Sequence, residues 1–245
     1  MGDVGILLRF LIGFGITLLF GTVAFMREMV DDTGFFTGIV LFTVTYVFMD
    51  WRGYFIVAVF FIITGLAIEA ESKDKAARGD FELYKAKRSI EKVLGRCLAP
   101  ALLAALFFIT GRFEFQLAFV ASYAASAFDT VSTKFGQLLS KEAALIIDFK
   151  KVHRRTPGAI SWQGTVFGAL AAIMIGAAAF FVGLIKLADL FVVVISAGIG
   201  SYIDSFLNAY SYQKKAIPNE FINFFSSMTA GVVATLIFWM VNVIF

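Results

Sequence analysis

The sequence predicts an all-α membrane protein, a bundle of about eight spanning helices, and three observations support this fold class. The chain of 245 residues is 60% hydrophobic and 16% charged, whereas soluble domains are about 45–50% apolar and about 25% charged. Its apolar residues form long continuous runs, as spanning helices require, without the alternation of a membrane β-barrel. Its Lys and Arg residues are concentrated in a few loops, which is typical of membrane proteins that follow the positive-inside rule.

Eight apolar stretches are the candidate spans, and each is close to the length of roughly 17–25 residues that a bilayer requires. In chain order they are 5–26, 33–50, 53–70, 95–111, 115–137, 159–184, 189–211 and 219–244. The second and fourth are near the minimum length, so the range is about six to eight spans, and the second also fits a re-entrant segment. The first begins with Asp3 rather than with a basic region, so we expect it to be retained and not cleaved as a signal peptide. All of them belong to one membrane domain, residues 1–245.

The basic residues lie almost entirely in alternate loops. The loops rich in Lys and Arg are 71–94, 138–158 and 212–218, and Arg27 belongs to the same set of alternate loops, whereas the opposite loops hold only Arg52, Arg112 and Lys186. With eight spans the three basic loops share one side, which the positive-inside rule places in the cytoplasm, with both termini outside. Segment 69–96 mixes acids and bases and is predicted to be an amphipathic, basic cytoplasmic segment. It either binds substrate or lies as a solvated segment against the lipid headgroups.

Two spans carry an acidic side chain towards their cytoplasmic ends. Asp129 lies about 20 Å into the fifth span and Asp204 about 22 Å into the seventh. Ionisable residues inside a membrane are costly and are functional candidates by default. Other polar residues share their helix faces, namely Ser126, Thr130 and Thr133 in the fifth span and Ser201, Ser205 and Asn208 in the seventh. The outer halves of both spans are apolar, which favours a cytoplasmic pocket over a pore.

The sixth and eighth spans begin in the cytoplasm with proline-marked helix starts, at Pro157 and Pro218. A helix N-terminus is suited to binding phosphate, and Arg154 and Arg155 add positive charge beside the first of them. Two carboxylates, two helix N-termini and a basic loop therefore predict a site for a phosphate compound with Mg²⁺. The sequence has no Walker A motif and no G-x-G-x-x-G unit, so a kinase here would not use a soluble nucleotide-binding fold.

Five short blocks of sequence follow one another in a recognisable order. They are Lys87-Arg88-Ser89 followed by Val93-Leu94; residues 124–136, with Asp129-Thr130; Thr156-Pro157-Gly158-Ala159-Ile160-Ser161; Gly200-Ser201-Tyr202-Ile203-Asp204-Ser205; and Asn219-Glu220 followed by Asn223-Phe224. In these blocks the chain resembles the integral-membrane family that includes the chloroplast phytyl-phosphate kinase and the animal transmembrane protein nineteen. More distantly it resembles dolichol kinases and CTP-dependent diacylglycerol kinases. The resemblance covers most of the chain, from about residue 30 to about residue 240.

The resemblance implies CTP-dependent phosphorylation of an isoprenyl monophosphate, of the phytyl or geranylgeranyl type, to the diphosphate at the cytoplasmic face. Together with the residue patterns it gives a catalytic set of Asp129, Asp204 and Lys134, in which the two aspartates hold Mg²⁺. The corresponding nucleotide- and phosphate-binding set is Lys87, Arg88, Thr130, Thr133, Arg154, Arg155, Thr156, Gly158, Ser161, Ser201, Ser205, Asn208, Asn219, Glu220 and Asn223. The expected partners are the nucleotide, the lipid phosphate and membrane lipids, and no nucleic acid is expected. The sequence leaves open whether the chain forms a homo-oligomer.

The chain also departs from the family pattern. Lys134 stands where the family has Glu, and Arg96 stands where Asn is expected. Lys134 either contacts a phosphate or marks the loss of a metal ligand or base. Two alternatives therefore remain: an ion- or proton-coupled transporter that uses Asp129 and Asp204, and an inactive member of the family that binds a lipid phosphate.

Overall fold

The computed structural model describes residues 3–77, 89–214 and 217–244. These residues form helices α1 (Asp3–Met26), α2 (Asp32–Ala77), α3 (Ile90–Thr110), α4 (Phe113–Leu139), α5 (Trp162–Phe181), α6 (Asp189–Lys214) and α7 (Asn219–Ile244). Three short strands, β1 (Ala143–Leu145), β2 (Lys151–Val152) and β3 (Ala159–Ile160), lie between α4 and α5. The all-α prediction is confirmed. The middle of segment 69–96, with Lys87 and Arg88, lies outside the described residues.

Helix α2 is folded into a hairpin at Asp50. The backbone of Asp50 has φ 54° and ψ −163°, which no helix contains. The rings of Phe42 and Phe61 lie 5.2 Å apart, whereas a straight helix would separate these residues by roughly 28 Å. The two arms of α2 therefore run side by side, and they correspond to the separate stretches 33–50 and 53–70 expected from the sequence.

Helix α4 is the central helix of the bundle. It packs against α2, α3, α5, α6 and α7, and every residue from Leu117 to Val131 is buried. Its neighbours instead expose large apolar side chains on their outer faces, for example Phe191 and Phe181. A helix enclosed by other helices does not need a lipid-facing surface, so α4 can carry the polar residues of a site.

Six stretches of the described residues are long and apolar enough to cross a membrane. They are Gly5–Met26, Asp32–Asp74, Ile90–Thr110, Trp162–Phe181, Asp189–Tyr212 and Asn219–Asn242. The second of these contains both arms of the α2 hairpin. Helix α4, predicted as the fifth span, is not among the six because polar residues such as Asp129 and Lys134 lower its hydropathy. The number of spans and the side of each terminus stay predictions.

The connection between α4 and α5 is a small antiparallel sheet in the order β2-β1-β3. Ala144 pairs with Lys151 on one side and with Ile160 on the other. The stretch expected to begin a helix at 159 therefore starts as a strand, and α5 begins only at Trp162, with Ser161 as its N-cap. Pairing to β1 overrides the helical start that the proline pattern indicated.

Candidate functional site

A polar cavity of about 290 Å³ lies where α4, α6 and the connection before α5 meet the first two turns of α3 and α7. Most of the site residues predicted from the sequence line it, and they are Asp129, Thr130, Thr133, Lys134, Arg154, Arg155, Thr156, Gly158, Ser161, Ser201, Asp204, Ser205, Asn208, Asn219 and Asn223. The fold thus brings together residues up to 94 positions apart along the chain, from Asp129 to Asn223. Their chemical roles stay predictions.

Among the described residues, one predicted site residue, Glu220, does not line this cavity. Lys87 and Arg88 lie outside the described residues. Glu220, in the first turn of α7, instead has its carbonyl oxygen against α3, where a Cβ on Gly95 would lie 2.8 Å from it. This close approach of the two helices fixes the neighbouring Arg96 at the edge of the site.

Asp129, on α4, is paired with Arg96 from α3. Arg96 Nη2 lies 3.2 Å from Asp129 Oδ2, and Arg96 Nη1 donates to the carbonyl of Ser126 at 3.1 Å and to the hydroxyl of Thr130. The buried carboxylate of Asp129 is partly neutralised by a guanidinium from a different helix.

Asp204, on α6, completes a pair of carboxylates with Asp129. It is buried, its Oδ1 accepts a 2.6 Å hydrogen bond from Asn208 Nδ2, and its carboxylate interacts electrostatically with that of Asp129. Two like charges this close in a poorly solvated place repel each other, and a cation between them relieves that repulsion. The pair therefore suits a divalent cation.

The candidate ligands around this pair are carboxylate and hydroxyl oxygens, which are ligand types that Mg²⁺ takes. Within the described ranges there is no cluster of three or more His, Cys, Asp or Glu side chains. Mg²⁺ is held through one or two carboxylates and completes its coordination with water and substrate phosphates. Asp129 and Asp204 provide the two carboxylates, and hydroxyls such as those of Thr130 and Ser205 line the same cavity.

Lys134, predicted to be catalytic, forms an ion pair with Glu71. Its Nζ lies 2.9 Å from Glu71 Oε2, and the side chains are 27% and 7% exposed, respectively. Glu71 lies on the second arm of α2, so the pair joins α2 to α4 at the cavity wall. The positive charge of Lys134 is thus balanced by a buried carboxylate before any ligand is present.

Thr156 and Gly158 belong to a turn ahead of β3, not to a helix N-terminus as expected. The amide of Thr156 donates to His153 O at 2.9 Å and that of Ala159 to Thr156 O at 3.0 Å. Gly158 has φ 74°, and a Cβ there would lie 2.5 Å from the carbonyl of Ser205 on α6. A glycine at this position lets the turn lie directly on α6.

Two of the predicted phosphate-binding groups already make contacts within the protein. Ser161 Oγ accepts from Gly164 N at 3.2 Å and caps α5. Arg154 Nη1 donates to the carbonyls of Leu138 and Ser140 at 3.3 and 3.2 Å and so closes the C-terminal end of α4. Such contacts orient the turn, and Arg155 beside it lines the cavity.

Sequence reasoning missed several polar residues that line the cavity, and four of them are Arg96, Gln137, Thr165 and Tyr202. The hydroxyls of Thr165 on α5 and Tyr202 on α6 lie 3.2 Å apart. Tyr202 is 37% exposed and also lines the cavity, so this contact separates the site from the outer surface of the bundle. Arg96 was detectable as a charge in the second turn of an apolar helix, but the three others are ordinary polar residues.

Long apolar helices around a buried charged cavity define an integral membrane protein with an internal polar site. Residues 15–231 match the family described as "Integral membrane protein DUF92", and the chain belongs to this family. The family resemblance inferred from the five sequence blocks is thereby confirmed.

Three relatives are similar over most of this chain. The chloroplastic protein VTE6 of Arabidopsis thaliana is 30% identical over 77% of this chain and 60% of its own length. An uncharacterized membrane protein of Methanocaldococcus jannaschii is 31% identical over 76% of both chains. An uncharacterized membrane protein of Synechocystis sp. is 27% identical over 85% of this chain and 82% of its own. No solved structure matches the chain.

Proposed function

We propose that this protein is a membrane-embedded kinase that transfers a phosphoryl group from a nucleoside triphosphate to an isoprenyl monophosphate. CTP is the favoured donor, and phytyl or geranylgeranyl monophosphate is the favoured acceptor. The observation that carries the proposal is the meeting of Asp129 and Asp204 with Arg96 and Arg155 in one cavity. Family membership supports it, because the resembling family includes the chloroplast phytyl-phosphate kinase and VTE6 is a relative.

In phosphoryl transfer the protein mainly positions the reactants and neutralises their negative charge. A phosphate oxygen of the acceptor attacks the γ-phosphorus of the donor, the bond to the β,γ-bridging oxygen breaks, and the nucleoside diphosphate leaves. A phosphate monoester is already anionic near neutral pH, so no strong general base is needed. Arg96 and Arg155 are placed to balance charge on the phosphates, and the turn at Thr156 offers a hydroxyl.

Asp129 and Asp204 would hold Mg²⁺ in this proposal. The ion supplies neutralisation of the triphosphate charge and orients its oxygens. Arg96 keeps the Asp129 carboxylate in place through its guanidinium, and Asn208 does the same for Asp204. These contacts orient both carboxylates before substrates enter the cavity.

A lipid acceptor suits the wall between α5 and α6. The Thr165–Tyr202 contact lies between the cavity and the lipid-facing surface. Trp162 and Phe206 beside it are 72% and 47% exposed and offer an apolar surface for an isoprenyl chain. The phosphate would thus reach the polar cavity while the hydrocarbon tail remains in the bilayer.

Product formation by the purified protein tests the proposal. The detergent-solubilised protein is given Mg²⁺, one of CTP, ATP, GTP or UTP, and geranylgeranyl or phytyl monophosphate, and the diphosphate is measured by mass spectrometry. We expect one nucleotide to be preferred. Asp129→Asn and Asp204→Asn should each lower the rate by on the order of 100-fold, the usual effect of losing one charge-stabilising group.

Asp189→Asn is the matched control on α6. Asp189 Oδ2 accepts a 2.8 Å hydrogen bond from Lys186 N at the opposite end of the helix, away from the cavity, and the variant should retain full activity. Labelled Mg²⁺–CTP binding that survives the double change Asp129→Asn, Asp204→Asn would refute the metal site. Folded protein that forms no diphosphate with any donor would refute the kinase assignment.

A further inference from the structure

A second cavity, of about 580 Å³, lies at the other end of the bundle. It is bounded by Arg9 on α1, the α2 turn at Asp50, the C-terminal end of α3 at Gly111 and the first turn of α4 at Gln116. Along α4, Gln116 and Asp129 are about 20 Å apart, so this cavity is separate from the proposed kinase site.

Two guanidinium groups make the lining of this cavity positively charged. Arg9 and Arg52 both line it, together with one acid, Asp50, so its charged lining is net positive. The Asp50 carboxylate is engaged in the turn, since its Oδ1 accepts a 2.8 Å hydrogen bond from the amide of Arg52. The lining of the cavity therefore carries a net positive charge, which favours the binding of an anion.

Arg9 provides the strongest indication that the cavity binds an anion. It lies inside the apolar helix α1, and among the described residues its one hydrogen bond runs from Nη1 to the carbonyl of Val47 at 3.3 Å. A guanidinium has five N–H donors, and within a membrane protein an arginine is stable when it reaches an anion or the headgroup layer. Most of its donors remain available to a ligand in the cavity.

Most of the other residues that line the cavity are apolar. Phe48, Phe107 and Phe108 line the cavity, and the rings of Phe48 and Phe108 lie 5.0 Å apart. A small inorganic anion would leave these rings without contacts, whereas a molecule with a phosphate at one end and an acyl chain at the other would satisfy both parts.

The position of α1 gives such a ligand a structural effect. Helix α1 packs mainly against α2, and the cavity lies between α1 and the ends of α3, α4 and α5. A ligand here would fill the gap and connect α1 to the remainder of the bundle.

We propose that this cavity binds an anionic phospholipid, with the headgroup phosphate on Arg9 and Arg52 and an acyl chain along Phe48, Phe107 and Phe108. The assignment is independent of the proposed kinase activity. It predicts that the folded protein is selectively stabilised by a lipid of net negative charge.

The test is thermal unfolding of the full chain in detergent, with added phosphatidylglycerol, phosphatidylcholine or inorganic phosphate. We expect saturable stabilisation by phosphatidylglycerol of roughly 5 °C, with a much smaller effect of the other two. Arg9→Gln and Arg52→Gln should each remove most of the shift. Arg112→Gln is the control, because Arg112 lies at the same end but is paired with Glu114 on the first turn of α4.

Native mass spectrometry counts the bound lipid directly. It therefore also serves for a variant that is too unstable to give a clean thermal transition. Arg9→Lys is included as a milder change than Arg9→Gln. We expect one retained phosphatidylglycerol in the wild type and in Arg112→Gln, and fewer in the Arg9 variants. An equal shift from phosphatidylcholine would overturn the role of headgroup charge. A full shift from inorganic phosphate would make this a small-anion site and overturn the lipid assignment, and no shift from any of them would overturn the site.

Discussion

Single charged residues in and around the site are balanced across helices. Arg96 on α3 pairs with Asp129 on α4, and Glu71 on α2 pairs with Lys134 on α4. Each pair joins the central helix to a different neighbour, so the charges of α4 hold the bundle together as well as shape the cavity. An unpaired charge at either place would be costly because the surroundings are poorly solvated.

The Glu71–Lys134 pair gives a test of what Lys134 does. Lys134→Met removes one cation from the buried Glu71 carboxylate, which is 7% exposed. We expect the free energy of unfolding to fall by roughly 1–3 kcal/mol, below the usual range for a broken buried pair because Lys134 is partly exposed. Unfolding in a mixed-detergent titration measures the change. The charge-reversed double variant Glu71→Lys, Lys134→Glu should recover most of it.

Kinase turnover in the same variants separates the two roles. If Lys134 acts through the ion pair, the charge-reversed protein regains activity together with stability. Recovered stability with activity still absent would instead make Lys134 a direct contact of the substrate phosphates.

At the scale of elements, the connection between α4 and α5 positions the basic side of the cavity. Its turn lies on α6 through Gly158, where φ is 74° and a Cβ would approach Ser205 O to 2.5 Å. Gly158→Ala therefore combines backbone strain with a clash, and we expect a loss of roughly 2–4 kcal/mol in unfolding free energy. We also expect a marked fall in phosphoryl transfer, since Arg155 and Thr156 move with the turn.

Gly183→Ala is the control for that substitution. Gly183 has φ 73°, but a Cβ there has nothing within 4 Å. Its replacement reports the cost of the left-handed backbone alone, about 1 kcal/mol. Equal destabilisation by both substitutions would show that the contact with α6 is unimportant.

The elements also show how far sequence reasoning reaches. Hydropathy located each long helix of the described residues, with most ends within three residues, although α2 continues to Ala77 rather than 70 and α3 begins at Ile90 rather than 95. Asp129 and Asp204 stood out because acids inside apolar helices are costly. The strand Ala159–Ile160 could not be predicted, because two residues carry no alternation and the pairing partner lies in β1. The Arg96–Asp129 pair was missed for a related reason: it depends on the side-by-side packing of α3 and α4, which spacing along one helix does not reveal.

For the whole molecule, the two cavities lie at opposite ends of the bundle. The side of the membrane that each cavity faces therefore depends on the orientation of the bundle in the bilayer. The polar site is at the end that holds the 143–160 connection, with Lys150 and Lys151, and the second cavity is at the end that holds Leu184. These ends are separated by α5, whose 20 residues span about 30 Å. The positive-inside rule predicts that the proposed kinase site faces the cytoplasm and that the proposed lipid site lies in the outer leaflet.

Cysteine labelling tests this orientation. Because Cys97 is buried, a background of Cys97→Ser allows single cysteines to be introduced at Asp148, in the exposed turn between β1 and β2, and at Lys186, after α5. In intact cells an impermeant maleimide should label Lys186→Cys, whereas Asp148→Cys should react only after permeabilisation, because the basic loop carrying it is retained inside. The reverse pattern would invert the bundle and put the nucleotide site on the wrong side. Labelling of both from outside would mean that α5 does not cross the membrane, which would refute the eight-span topology while leaving the described packing unchanged.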